Sequence, residues 1–267
     1  MQAVKHITSP QNALIKKLMQ LKEKKKERLR TGTFVVEGKR ELEMALKGGY
    51  HVVSIFFFRD LFSLEEAVIL IKDYRPQPEF IEISKEVYQK LAYREKTEGI
   101  LAIARGKKHG LDLLDLPKNP LILVAEAPEK PGNIGALLRT ADAAGLDAVI
   151  IANPTSDLYN PNIIRSSIGC VFTVQTATGT TSEIINFLQE RKINIYAAAL
   201  SASMPYTTAK YTGATALVVG TESTGLSEAW LSRADARIII PMEGSIDSMN
   251  VSVSAAILIF EAKRQRT

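Results

Sequence analysis

Two short apolar runs near the carboxyl end each stop at a glycine-bearing loop. Leu217-Val218-Val219 meets Gly220 and the loop Thr221-Glu222-Ser223-Thr224-Gly225-Leu226-Ser227, and Ile238-Ile239-Ile240 breaks at Pro241-Met242-Glu243-Gly244. Ser248-Met249-Asn250 then opens a last, mostly apolar helix. Runs without polar alternation suit a sheet buried on both faces, which argues for parallel strands covered by helices. Open sheets of that kind hold ligands at the carboxyl ends of their strands, so the stretch from Leu217 to Ala255 is where a site is expected.

The preceding sequence extends the same pattern. From Pro120 the chain reads as strand Leu121 to Ala125, helix Asn133 to Ala144, strand Ala148 to Ala152, and a helix after Asn160-Pro161. Strand Val171 to Gln175, helix Ser182 to Arg191 and strand Ile193 to Ala199 follow, giving a mainly parallel sheet covered on both faces. Thr33 to Ala104 forms a smaller α/β alternation, with Ser84 capping a helix to Leu91. Between the two, Arg105 to Asn119 carries Gly106, Gly110 and Pro117 with little apolar periodicity, and reads as a linker. The expected organisation is a basic N-terminal helix over residues 1–32, a small α/β domain over 33–104, the linker 105–119 and a larger α/β domain over 120–267.

Charge is distributed unevenly. The net charge is +5, and the stretch from Lys16 to Arg30 holds eight Lys or Arg against Glu23 and Glu27, so the rest of the chain is close to neutral. Ser9-Pro10 suits a helix start, Leu14, Leu18 and Leu21 fall on one face, and Thr31-Gly32 ends the segment. A cationic helix on a neutral body fits a polyanion-binding arm, and fits a solvated helix face equally well. Glu37-Gly38-Lys39-Arg40, where a strand meets a helix, offers two cations and backbone N–H groups to a phosphate; the same residues suit a surface turn.

Several chemistries are disfavoured. His6, His51 and His109 all precede residue 120, which leaves the larger domain without an imidazole for a nucleophile triad or a metal site. The turn Glu126-Ala127-Pro128-Glu129-Lys130-Pro131-Gly132-Asn133 does not match G-x-G-x-x-G, and no G-x-x-x-x-G-K-[ST] occurs. Cys170 is the only cysteine, so an intrachain disulfide is impossible and a reducing, cytoplasmic setting is the simplest expectation. No apolar run approaches the ~20 residues of a membrane helix.

What remains is Asn133-Ile134-Gly135 through Arg139, Gly220-Thr221-Glu222-Ser223-Thr224-Gly225, and Ile240-Pro241-Met242 through Ser248-Met249-Asn250-Val251-Ser252. Singly these are ordinary: a surface arginine, a loop carboxylate, a helix cap. In this order they resemble the three motifs of the SpoU (TrmH-type) RNA ribose methyltransferases of the SPOUT superfamily, over most of Pro120 to Thr267. Thr33 to Ala104 more loosely resembles that family's small substrate-binding domain. Met249 stands where the family usually has leucine, a change that conserves volume.

The resemblance implies S-adenosylmethionine as cofactor, bound in a carboxy-terminal trefoil knot, and a homodimer with its active site near the subunit interface. Leu200, Gly220, Ile240 and Met249 would contact the cofactor, and Arg139, Asn133, Glu222, Ser248 and Asn250 would form the catalytic group. The reaction would be methyl transfer to a ribose 2′-hydroxyl of RNA, with no metal and no membrane involved. Lys39, Arg40 and Arg139 are the candidate RNA contacts, and the separate front domain inclines the reading to ribosomal RNA. A transfer-RNA substrate, methylation of a base, and a non-catalytic RNA-binding or ribosome-assembly protein on the same fold are the alternatives.

Overall fold

The structure, a computed structural model, describes residues 4–92, 98–200, 203–221, 223–245 and 248–267. The chain divides into two units, Met1–Lys107 with Asp157–Thr173, and Lys108–Ser156 with Val174–Thr267.

The first unit opens with strand β1 (Lys5–Ile7) and helix α1 (Ala13–Glu23), whose cap is Asn12 rather than Ser9: the Asn12 side chain accepts from the Leu14 amide at 2.9 Å. The basic stretch is two helices, because Lys24 adopts an extended conformation before α2 (Lys25–Thr31). Gly32, at φ 61°, ends α2 in the left-handed region. Ile15, Leu18 and Leu21 are fully buried and Leu14 is not, so the inward stripe is turned from the one expected. Each such side chain contributes roughly 1.5–3 kcal/mol of burial, which makes α1 a core element of this unit.

Strands β2 (Thr33–Glu37), β3 (Val52–Phe57), β4 (Glu79–Ile83) and β5 (Ile100–Arg105) complete a sheet in the order β1-β4-β3-β5-β2. Helices α3 (Lys39–Lys47), α4 (Leu64–Leu70) and α5 (Lys85–Leu91) connect them, α4 and α5 starting at serine caps Ser63 and Ser84. One core gathers Ile15, Leu18 and Leu21 with Val35, Phe56, Ile81, Tyr88 and Leu101.

In the second unit the residues read as a linker are tied down. Leu111, Leu114 and Leu116 pack against its core, and the Thr178 amide donates to the His109 carbonyl at 2.8 Å. Then come β6 (Leu121–Glu126), α6 (Pro131–Ala144) and β7 (Ala148–Ala152). After α7 (Pro161–Ser166), which belongs to the first unit, follow β8 (Thr176–Gly179), α8 (Thr181–Glu190), β9 (Asn194–Ala198) and the two-residue β10 (Met204–Pro205). The chain ends with β11 (Thr215–Val219), α9 (Glu228–Arg233), β12 (Ala236–Ile239) and α10 (Val251–Arg264).

The second sheet runs β10-β12-β9-β11-β6-β7-β8, and every neighbouring pair is parallel. Side chains of α8 and α9, Trp230 among them, fill one face. On the other, α10 packs against α6, β6 and β11. The far end of α10 is pinned at the amino ends of the strands: Arg266 donates to the Tyr211 and Asn119 carbonyls at 2.8 and 2.9 Å. Fourteen residues span about 21 Å, so the first turn of α10 is delivered to the opposite, carboxyl end of the sheet.

The expected strand Val171 to Gln175 is absent. Cys170–Phe172 is a 3₁₀ turn after Gly169 (φ 79°), and the strand begins at Thr176. The apolar residues there serve another core: Phe172 lies 4.9 Å from the Tyr50 ring and 5.7 Å from Phe34, and Tyr159 stacks on Phe34 at 4.1 Å. Arg28, 5% exposed, meets Asp157 through two hydrogen bonds of 3.0 and 2.7 Å. A stretch of 17 residues between β7 and β8 therefore belongs to the first unit.

Candidate active site

The carboxyl ends of β9, β11 and β12 surround a cavity of about 530 Å³, within the range of small-ligand sites. Leu200 follows β9, Gly220 follows β11 and Ile240 follows β12, and all three line it together with Met249 and Ser248 just before α10. These positions lie outside the strand ladders, so their peptide groups can face a ligand. No lining residue among those described carries a charge; Thr221, Ser223, Thr224, Ser248 and Ser254 supply hydroxyls, and the rest is mainly apolar.

The loop after β11 folds back on itself. Thr221 and Gly225 exchange backbone hydrogen bonds at 3.1 and 3.2 Å, and the Thr221 and Thr224 hydroxyls meet at 2.8 Å. A Cβ on Gly220 would overlap the Gly225 backbone, so only glycine permits the fold-back. Ser223 donates to Glu129 at 3.2 Å, which ties this loop to the entry of α6.

The polar candidates partly converge. Asn250 caps α10, accepting from the Ser252 amide at 2.9 Å and its hydroxyl at 2.6 Å, and its Nδ2 donates to Asn133 Oδ1 at 3.3 Å. Two motifs 117 residues apart thus meet. Asn133 is not the helix cap that its residue type suggests. α6 starts at Pro131, with Lys130 at the cap position and no side-chain capping bond, and Asn133 lies within the first turn. Arg139 is exposed on α6, has no hydrogen-bond or ion-pair partner among the described residues, and does not line the cavity of its own chain. Glu222 lies outside the described residues.

In the first unit, Lys39 and Arg40 are both exposed, but the amino end of α3 is already engaged: the Lys39 amide donates to the Glu98 carboxylate. The two side chains, and not the Lys39 amide, are what this end of α3 leaves open to solvent. The basic helices are also partly neutralised, since Lys22 pairs with Glu37 at 2.7 Å and Arg30 with Glu27.

Sequence reasoning missed three features of the site. Ser254 and Leu258 line the cavity from within α10, following Val251 at helical spacing; projecting that helix face from Val251 would have found them. Thr221 and Thr224 were only loop residues in sequence. Glu126 is a carboxylate ending an otherwise apolar strand, and that mismatch was its signal.

The residues fit S-adenosylmethionine in size and chemistry: a largely apolar, uncharged slot edged by peptide groups and hydroxyls suits adenine and does not repel a sulfonium. Among the described residues, no group of three His, Cys, Asp or Glu is placed to hold a metal, and no helix is long and apolar enough to cross a membrane.

Comparison with known proteins agrees with this geometry. Residues 120–260 match the profile of the SpoU rRNA Methylase family, and residues 12–102 that of an MRM3-like substrate binding domain. The chain is 30% identical, over 97% of its length and all of the relative's, to the 23S rRNA (guanosine(2553)-2′-O)-methyltransferase RlmP of Bacillus subtilis (strain 168). The crystal structure of an RNA 2′-O ribose methyltransferase superposes with TM-score 0.83 at 39% identity, covering 98% of this chain and 99% of that one. AviRb of Streptomyces viridochromogenes, a SpoU methyltransferase solved with AdoMet, gives 0.87 at 27% identity, covering 96% and 98%. With residues 120–260, the half that holds the cavity, matched by the family's profile, the chain belongs to the SpoU rRNA methylase family.

Proposed function

We infer that this chain transfers a methyl group from S-adenosylmethionine to a ribose 2′-hydroxyl of ribosomal RNA. The observation that carries the reading is the cavity at the ends of β9, β11 and β12, with the Asn133–Asn250 pair joining the segment from Asn133 to Arg139 to the motif around Ser248 and Met249 that edges it. The names of the relatives favour 23S rRNA over transfer RNA and ribose over base.

Leu200, Gly220, Ile240 and Met249 hold the cofactor, chiefly through backbone. When bound, the cofactor supplies a methyl group on sulfonium, a leaving group that is already activated. The protein must then align the ribose oxygen and ease loss of its proton. Asn133, Asn250 and Ser248 orient that oxygen, and Glu222 belongs with them. Guanidinium stays protonated, with a pKa above ~12, so Arg139 acts as a fixed charge that grips an RNA phosphate and stabilises the developing alkoxide.

Arg139 does not line its own cavity, and this reading pairs it with a second copy of the chain in a homodimer. Support comes from α10, packed against α6, where Val253 and Phe260 are 48% and 53% exposed. The knotted topology is supported by the chain path, in which α10 returns from β12 to pack on β6 and β11. Lys39 and Arg40 bind RNA from the small unit, and a cytoplasmic location follows from the substrate.

The test is incorporation of labelled methyl into 23S rRNA, with nuclease digests run against 2′-O-methyl nucleoside standards. A labelled 2′-O-methyl nucleoside is expected. RNA binding without label uptake would leave the non-catalytic reading standing.

A further inference from the structure

Glu126 closes β6, and the register that pairs Val219 with Ala125 sets it level with Gly220, where the folded loop begins. Its side chain is buried, and no Lys or Arg pairs with it among the described residues. Three donors hold it instead: the Thr181 and Ser227 hydroxyls donate to Oε1 and the Ser227 amide to Oε2, each at 2.8 Å. Burying a carboxylate is costly unless every lone pair in use is matched by a donor, so the arrangement is specific.

Ser227 is the last residue of the loop and the cap residue of α9. Its side chain makes no capping bond to that helix; the hydroxyl that would ordinarily satisfy the helix end is turned to Glu126. One end of the loop is fixed by the sheet at Val219-Gly220, and the other by this carboxylate. On the side away from the cavity, Thr181 starts α8 and accepts from Asn153 Nδ2 at 2.9 Å.

We propose that Glu126 is a positioning residue for the cofactor slot: by holding Ser227 it fixes the wall formed by Ser223, Thr224, Gly225 and Leu226. This rests on the reading of the cavity as the S-adenosylmethionine site. A purely structural staple joining β6, α8 and α9 would use the Thr181 and Ser227 hydroxyls alike, whereas a positioning role depends on Ser227.

The experiment is calorimetric titration of S-adenosylmethionine into the full-length protein and its Glu126→Gln, Ser227→Ala and Thr181→Ala variants, with melting temperatures and turnover at saturating cofactor. Glu126→Gln keeps the volume and sets an amide donor against a donor. Its Kd is expected to rise about tenfold or more, the size expected for losing a hydrogen bond to a charged group, with a smaller fall in saturated turnover. Ser227→Ala is expected to weaken binding in the same direction. Thr181→Ala is expected to lower the melting temperature while Kd stays within about twofold, as for sites that do not share a partner with the ligand. Wild-type affinity in Glu126→Gln overturns the proposal, as does equal weakening by Thr181→Ala and Ser227→Ala. If Glu126→Gln does not fold, the contrast between the two hydroxyl variants decides. Absence of cofactor binding by the wild type would instead overturn the assignment of the cavity.

Discussion

Gly220 and Arg139 make the sharpest predictions, one by lacking a side chain and one by carrying a charge with no partner among the described residues. Gly220→Ala sets a methyl group against the Gly225 backbone. It is expected to cost roughly 1–3 kcal/mol of stability, as overpacking does, and to raise the Kd for S-adenosylmethionine, both readable by calorimetry. Arg139→Ala is expected to abolish methyl transfer while leaving that Kd unchanged, because its proposed charge is directed at the RNA phosphate and the ribose oxygen and not at the cofactor; single-turnover assays beside titrations check this. Residues whose role is local were legible in sequence: Gly220 after an apolar run, and Asn250 ahead of a helix. Pairings between distant residues were not. Nothing in Asn133 or Glu126 announces a partner 117 or 101 residues away; the packing of α10 on α6 brings the first pair together and the parallel register of β6 and β11 the second.

Among the elements, α10 bears both on the site and on the stability of the sheet. Near its carboxyl end Glu261 accepts from Arg264 and Gln265, and those bonds pull its pKa from 4.5 down to about 2. A depressed acid stabilises the fold above its unfolded value and loses that contribution as pH falls toward the folded one. The difference in melting temperature between wild type and Glu261→Gln should therefore be full near neutrality and shrink between pH 4.5 and about 2. Helix α1 makes a different prediction. Leu18 is fully buried, so Leu18→Ala should cost about 2–5 kcal/mol in denaturant titrations, which a free RNA-binding arm would not. The helix itself was legible from Leu18 and Leu21, but its break at Lys24 was not, because lysines at 24 to 26 give no signal of an extended residue. Val171 and Phe172 misled for a related reason: apolar residues announce burial without saying in which core.

On the scale of the whole molecule, the alternation of apolar strands and helices was enough to read a parallel sheet with ligand loops at its carboxyl end. The division of the chain was harder to read, since 157–173 has the composition of its neighbours yet lies with Phe34, Tyr50 and Arg28. Breaking the buried Arg28–Asp157 pair by Arg28→Ala leaves a carboxylate uncompensated and should cost about 3–5 kcal/mol, seen as an earlier first transition in urea. Cleavage between 108 and 119 should yield fragments that co-elute under native conditions and part only in denaturant. A fragment expressed from residue 108 onward would carry Val171 and Phe172 bare to water and should collect in inclusion bodies. Because β7 and β8 are parallel neighbours, a version of the second unit without 157–173 would need a polar crossover of about a dozen residues in its place, long enough to return from the end of one strand to the start of the next.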